Sequence, residues 1–113
     1  MDHELLAGHL QELRRGTVVL ASLAALRTEL YGYRLIEVLG EAGIEVGADT
    51  LYPLLRRLES QGLLESAWNT DEARPRKFYI TTESGRAILE SLWSEWQSLN
   101  ESLTRIVNNV EAP

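Results

Sequence analysis

The sequence predicts a mainly α-helical fold that contains one small β-hairpin and ends in a long helix. Within residues 49–65, four leucines recur at positions i, i+3, i+4 and i+7, which places them on one face of a helix. A polar stretch at 69–76 separates two short apolar segments, which is the pattern of a hairpin. From position 89 to position 110, apolar residues are spaced three and four apart, as in a helix that packs along another helix.

The composition is that of one soluble globular domain, with 113 residues, 44% apolar and 25% charged. The absence of cysteine excludes disulfides, thiolate metal sites and cysteine nucleophiles. His3 and His9 lie six residues apart, without the spacing that puts two ligands on one helix face, so no metal site is expected. There is no Ser-His-Asp context and no glycine-rich phosphate loop, so we expect neither an enzyme nor a cofactor.

The chain is expected to be cytoplasmic. No apolar run approaches the roughly 18 residues that a membrane span requires. The N-terminal sequence MDHELLAGHL is acidic and lacks the layout of a signal peptide. A membrane partner is therefore not expected.

The first helix is predicted over residues 4–27. Gly16 followed by Thr17 could divide it, because threonine is a competent N-cap, and the pattern leaves one helix or two open. A second helix is predicted to begin at 31–33 and to end at Gly43.

The third helix carries the leucine face and also a proline. Asp49 is the predicted N-cap. With that cap, Pro53 lies in the first turns and removes only the bond to the Asp49 carbonyl, the first of the helix. The helix is predicted to end at Gln61-Gly62.

The hairpin is predicted from strands at 63–68 and 77–81, joined by the turn at 69–76. Thr81 or Thr82 then caps the last helix. About 27 residues of helix would reach about 40 Å, which is longer than a small domain needs. We therefore expect the helix to find a partner, a second copy of the chain, through its apolar stripe. The stripe consists of Leu89, Leu92, Trp96, Leu99, Leu103, Ile106 and Val110.

The net charge of −6 by itself argues against a nucleic-acid partner. The local distribution argues the other way. Residues 56–77 hold five of the 11 basic residues against four acidic ones, a local net charge of +1. Residues 28–46 and 78–113 each carry −3, so the acidity lies away from the third helix and the hairpin.

The third helix turns a polar side away from its leucines. At 100° per residue, Asp49, Pro53, Arg56 and Ser60 lie opposite the leucine face, with Tyr52 and Arg57 on the flanks. A helix with such a face followed by a basic hairpin suits a winged helix-turn-helix, in which the helix enters the major groove and the wing contacts the backbone. Arg57 could instead pair with a carboxylate, and Tyr52 could be a packing residue. The candidate DNA-binding residues are Thr50, Tyr52, Pro53, Arg56, Arg57, Arg74, Arg76 and Lys77.

Several of these segments resemble a known family. The stretches TLYPLLRRLESQGLLE at 50–65 and RKFYITTESG at 76–85, with Trp68 before the turn and Tyr31-Gly32-Tyr33 at the second helix, are similar to the PadR-type transcriptional regulators. The resemblance covers roughly residues 16–107 and implies a homodimeric winged-helix repressor bound to operator DNA, with the dimer made by the C-terminal helix and the N-terminal segment. The helix at 48–61 would be the recognition helix and 69–76 the wing tip.

The resemblance also implies how the chain is divided. Residues 1–81 would form the winged DNA-binding domain with an N-terminal helical extension, and 82–113 the dimerisation helix. The wing departs from the usual basic character, because Asp71 and Glu72 dilute it, and Asp49 places an acid near the phosphates.

The long helix carries two tryptophans, Trp93 and Trp96, one turn apart. One interpretation is that they fill the dimer core. The other is that they bind a flat aromatic effector by stacking across the two-fold axis, as a tryptophan of this helix does in some drug-sensing relatives. Tyr31 and Tyr33 are expected to pack, with a phosphate contact as the alternative, and Trp68 is expected to anchor the wing. The main rival to a DNA-binding repressor is a winged-helix module that binds protein without DNA.

Overall fold

The computed structural model describes residues 2–71 and 73–109 and is mainly helical, with one small antiparallel sheet, as the sequence predicts. The sheet has three strands in the order β1-β3-β2. In chain order the elements are α1 (His3–Ala25), β1 (Leu30–Tyr31), α2 (Gly32–Glu41), α3 (Ala48–Ser60), β2 (Leu64–Asn69), β3 (Arg76–Thr81) and α4 (Glu83–Asn108).

The N-terminal segment is one helix, which settles the alternative that the sequence left open. Gly16 and Thr17 both lie inside α1. The Thr17 hydroxyl donates to the carbonyl of Arg14 at 2.6 Å, so it bonds within the helix and does not cap a new one. The N-cap is Asp2, whose carboxylate accepts from the backbone N–H groups of Glu4 and Leu5.

The sheet contains a strand that the sequence analysis missed. Leu30 and Tyr31 form β1, paired with Tyr79 and Phe78 of β3, so Tyr31 ends a strand and caps α2 without belonging to the helix. A strand of two residues is too short to show a period of two. The β2–β3 hairpin is confirmed, with a register that runs from Leu64↔Thr81 to Asn69↔Arg76.

The cap predicted for the third helix is wrong. Gly47 is the N-cap of α3, and Asp49 lies in the first turn, where its charge complements the helix dipole. Leu51 N–H bonds the Gly47 carbonyl at 2.9 Å, which is the first bond of the helix. The bond that Pro53 removes is therefore the third one, still within the early turns where proline is tolerated. The helix ends, as predicted, before Gly62, which has a φ of +78°.

The core is built from the leucine faces of the helices. The Thr81 hydroxyl donates to the Leu23 carbonyl, and the Thr81 N–H donates to the Leu26 carbonyl, so β3 is fixed to the end of α1. The buried apolar residues are Val18, Leu23, Leu26, Leu35, Leu39, Leu51, Leu55, Leu58, Leu64, Tyr79 and Leu89.

The last helix leaves this core soon after it begins. Thr82 is its N-cap and accepts from the Gly85 N–H at 3.0 Å. Leu89 is buried within the chain, whereas the large apolar residues that follow are exposed: Leu92, Trp93, Trp96, Leu99, Leu103, Ile106 and Val107. Val110 lies outside the described residues. Across the described ranges, the helices are too short or too polar to span a bilayer.

Candidate nucleic-acid interface

The outer face of α3 gathers five of the eight predicted DNA-binding residues. Leu51, Leu55 and Leu58 fix the rotation of the helix, because all three are buried. That rotation exposes Thr50, Pro53, Arg56 and Arg57 and leaves Tyr52 half-buried. The result is a continuous polar surface on one helix.

The two adjacent arginines diverge. Arg56 lies on the wing side of α3, close enough to Tyr79 of β3 for its charge to oppose the rise in the tyrosine pKa. Arg57 faces the other way and lines a groove of about 980 Å³ between α1 and α3, together with Arg14 and Arg15. Within residues 2–71 and 73–109, neither Arg56 nor Arg57 forms a salt bridge. Both guanidinium groups are therefore available to a ligand.

Tyr52 is held between α3 and the start of α2. A Cβ placed on Gly32 would lie 2.5 Å from the ring carbon Cε1 of Tyr52 and 2.9 Å from its hydroxyl. Only glycine at position 32 allows the ring to lie there. Tyr52 therefore packs against the start of α2, in line with its interpretation as a packing residue. Because the residue is only half-buried, part of its side chain remains accessible.

The basic residues of the wing differ in their surroundings. Arg74 is exposed in the turn between β2 and β3. Arg76 donates from Nη1 to the hydroxyl of Tyr33 at 2.7 Å, and its Cζ lies 5.2 Å from the centre of that ring. Lys77 places Nζ 3.7 Å from a carboxylate oxygen of Glu59 in α3. Arg76 and Lys77 therefore bond other parts of the protein.

Glu59 joins α3 to the hairpin, a role that the sequence analysis missed. Its carboxylate accepts from the hydroxyl of Ser66 in β2 and pairs with Lys77 in β3. Burial raises the pKa of Tyr79, and the negative charge of Glu59 raises it further. Glu59 follows Tyr52 by seven residues and so lies on the same flank of α3, which is the signal that could have pointed to it.

Trp68 does not anchor the wing, contrary to the prediction. Its side chain is 62% exposed, with Lys77 Nζ 5.8 Å from the ring centre. Leu64, Ser66 and Trp68 share one face of β2, but they change from buried to half-buried to exposed along the strand. The strand extends beyond the core, so the Trp68 ring stays exposed at its far end.

The tryptophans of α4 stack on each other. The ring centres of Trp93 and Trp96 are 5.7 Å apart with an interplanar angle of 1°, and the residues are 50% and 42% exposed. Both line a cavity of about 500 Å³ with Leu20 and Ala24 of α1 and with Ile44. A single chain therefore exposes two stacked tryptophan rings at one side of this cavity.

In the described part of the chain, no three histidine or acidic side chains lie close enough together to hold a metal ion.

Comparison with known proteins identifies the family. Residues 19–91 match the model of the transcriptional regulator PadR-like family. Transcriptional regulator Rv3488 of Mycobacterium tuberculosis is 40% identical over 81 residues, which cover 71% of this chain and 76% of that protein. The crystal structure of a PadR family regulator from Eggerthella lenta is 42% identical, with a TM-score of 0.87 over 92% of this chain and 93% of that one. A PadR-like factor from Bacteroides fragilis is 33% identical, with a TM-score of 0.73 over 88% and 98% of the two chains. The chain belongs to the PadR-like family of transcriptional regulators.

Proposed function

We propose that this protein is a transcriptional repressor that binds an operator in double-stranded DNA as a homodimer. The observation that carries the proposal is the outer face of α3, where Arg56 and Arg57 project without salt-bridge partners in the described part of the chain. Family membership supports the same function.

In this proposal α3 lies in the major groove. Arg56 faces outward and reads a base, because its planar fork can donate twice to guanine. Arg57, on the α1 side, contacts a phosphate, and the Tyr52 hydroxyl can do the same from the opposite flank. Thr50 and Pro53 line the approach to the groove, and Arg74 at the wing tip contacts the backbone.

The homodimer is proposed from the apolar side of α4. Leu92, Leu99, Leu103 and Ile106 are exposed in the single chain, and a contiguous apolar surface of this kind marks an interaction site. Packing two such helices together would cover it. The winged unit is then 1–81 and the dimerisation helix 82–113, with Leu89 contributing to the core of its own chain.

The effector proposed for the dimer is a small, flat aromatic molecule. Trp93 and Trp96 offer broad apolar surfaces with one donor each, which suits stacking against such a guest. A guest between two copies would change the angle between the α4 helices and hence the spacing of the two α3 helices, which must match sites about 34 Å apart. DNA and effector would then weaken each other's binding by the same factor.

The test of DNA reading is Arg56→Ala, measured on a duplex selected from a random DNA pool. Loss of a bidentate base contact should weaken binding by about 1–3 kcal/mol, with the melting temperature unchanged because Arg56 lies outside the core. Arg86→Ala, at an exposed arginine of α4, is the control and should retain full affinity. Unchanged affinity in Arg56→Ala would assign base reading to Arg57 or Tyr52.

The net charge of −6 favours a second candidate, a winged-helix module that binds protein and not DNA. The salt dependence of DNA binding distinguishes this candidate from the DNA-binding repressor. Binding to random-sequence duplex through phosphates releases counterions and weakens steeply with salt concentration, whereas a protein-binding module shows no such binding.

A further inference from the structure

Arg76 lies across a pair of tyrosine rings at the end of the hairpin that adjoins the wing turn. The rings of Tyr31 and Tyr33 are nearly parallel, 5.7 Å apart with an interplanar angle of 11°. The guanidinium carbon of Arg76 is 5.4 Å from the Tyr31 ring centre and 5.2 Å from that of Tyr33. One nitrogen also donates to the Tyr33 hydroxyl at 2.7 Å. The cation is thus held by two aromatic faces and an oxygen.

The same tyrosines bind the rest of the hairpin. The Tyr31 ring stacks on Phe78 of β3, with centres 4.2 Å apart, and its hydroxyl accepts from the Asn69 side chain of β2 at 2.9 Å. Asn69 is itself the backbone partner of Arg76. Since β1 has only two residues, its pairing with β3 is weak without these side chains.

This cluster is continuous with the recognition helix. Tyr31 and Tyr33 flank Gly32, against which the Tyr52 ring of α3 packs. A displacement of the wing relative to the tyrosines is therefore a displacement relative to α3.

We propose that Arg76 is a positioning residue, which fixes the wing to the start of α2 through Tyr31 and Tyr33 and does not act as a phosphate contact itself. The consequence for DNA rests on the proposed function, because wing orientation matters to binding only if the wing meets DNA. The part of the proposal that concerns the position of the wing in the free protein does not depend on the proposed function.

The first experiment uses the free protein. Amide hydrogen exchange in β1 and β3 is compared between wild type, Arg76→Gln and Tyr33→Phe, with Arg74→Gln as the control that changes the charge of the wing equally. Exchange should become about 5- to 30-fold faster in Arg76→Gln, the effect of losing the cation from both tyrosine rings. The effect should be smaller in Tyr33→Phe, which loses the hydrogen bond but keeps the ring. Arg74→Gln should match wild type. Equal exchange in Arg76→Gln and wild type would overturn the proposal.

The second experiment is a double-mutant cycle on DNA binding, with random-sequence duplex as the probe. Tyr33→Ala leaves the charge of Arg76 in place but removes one of its two tyrosine rings and the hydroxyl that it bonds. If Arg76 acts through Tyr33, the single variants weaken binding by a similar factor, and the double variant is no weaker than either. Additive losses would identify Arg76 as an independent DNA contact and refute positioning. Failure of the wild type to bind duplex would refute the proposed function instead, and the exchange experiment would still decide the role of Arg76.

Discussion

Gly85 is the residue whose replacement should be most damaging relative to its size. It lies in the first turn of α4 with its α-carbon against the loop that follows α3. A Cβ at this position would lie 2.2 Å from the carbonyl oxygen of Leu63 and 2.7 Å from a methyl carbon of Thr81. The carbonyl cannot turn away, because it accepts the Thr82 N–H at 3.0 Å.

The size of the effect follows from the overlap. Ordinary contact begins near 3.4 Å, so the Cβ is 1.2 Å too close and α4 must move by about that distance. Overpacking of this kind costs about 1–3 kcal/mol, and weakening the Leu63–Thr82 bond adds about 1 kcal/mol. Alanine recovers at most about 1 kcal/mol of helix propensity. We expect Gly85→Ala to lower the free energy of unfolding by about 2 kcal/mol and the melting temperature by roughly 4–10 °C.

The assay is thermal and denaturant unfolding at one protein concentration, because the stability of the proposed dimer would depend on concentration. Gly40→Ala is the matched control. Gly40 is exposed in α2, and a Cβ there meets nothing within 4 Å, so alanine should stabilise the protein by about 0.5–1 kcal/mol. If Gly85→Ala proved as stable as wild type, the packing of α4 on the Leu63 loop would be misassigned.

Three further predictions concern pH, assembly and the effector. Burial and the charge of Glu59 raise the pKa of Tyr79 above its usual 10.0, so the folded state favours the neutral phenol. The contribution of Tyr79 to the free energy of unfolding should therefore be complete below pH 10 and decrease as the pH rises above it. In denaturation measured against pH, Tyr79→Phe should show a smaller decrease. Leu103→Glu places a charge on the exposed face of α4 and should yield a monomer in sedimentation, with a folded core because Leu103 is 56% exposed; a persistent dimer would locate the contact elsewhere. Flat aromatic dyes should quench tryptophan fluorescence in wild type and much less in Trp96→Ala; equal quenching in both would exclude Trp96 as the binding surface.

The sequence predicted the elements whose pattern is long. The leucines of α3 repeat over two turns, and the hairpin shows two apolar segments around a polar turn, so both were identified with small errors at their ends. Aspartate is a strong capping residue, so the sequence favours Asp49 as the N-cap of α3, whereas the helix is capped at Gly47. The strand β1 was missed, because two residues carry no period and Tyr31 acquires its role from β3, some 47 residues away along the chain.

The outward placement of Arg56 and Arg57 was determined by the sequence alone, since helical geometry fixes it once Leu51, Leu55 and Leu58 are known to face the core. The partners of Arg76 and Lys77 were decided only by the tertiary structure. Both residues looked like free cations of a basic wing, yet one meets two tyrosines from the start of α2 and the other meets Glu59 of α3. A strand sends successive side chains to opposite faces, so adjacent residues can have different roles, and those roles depend on what folding brings to each face.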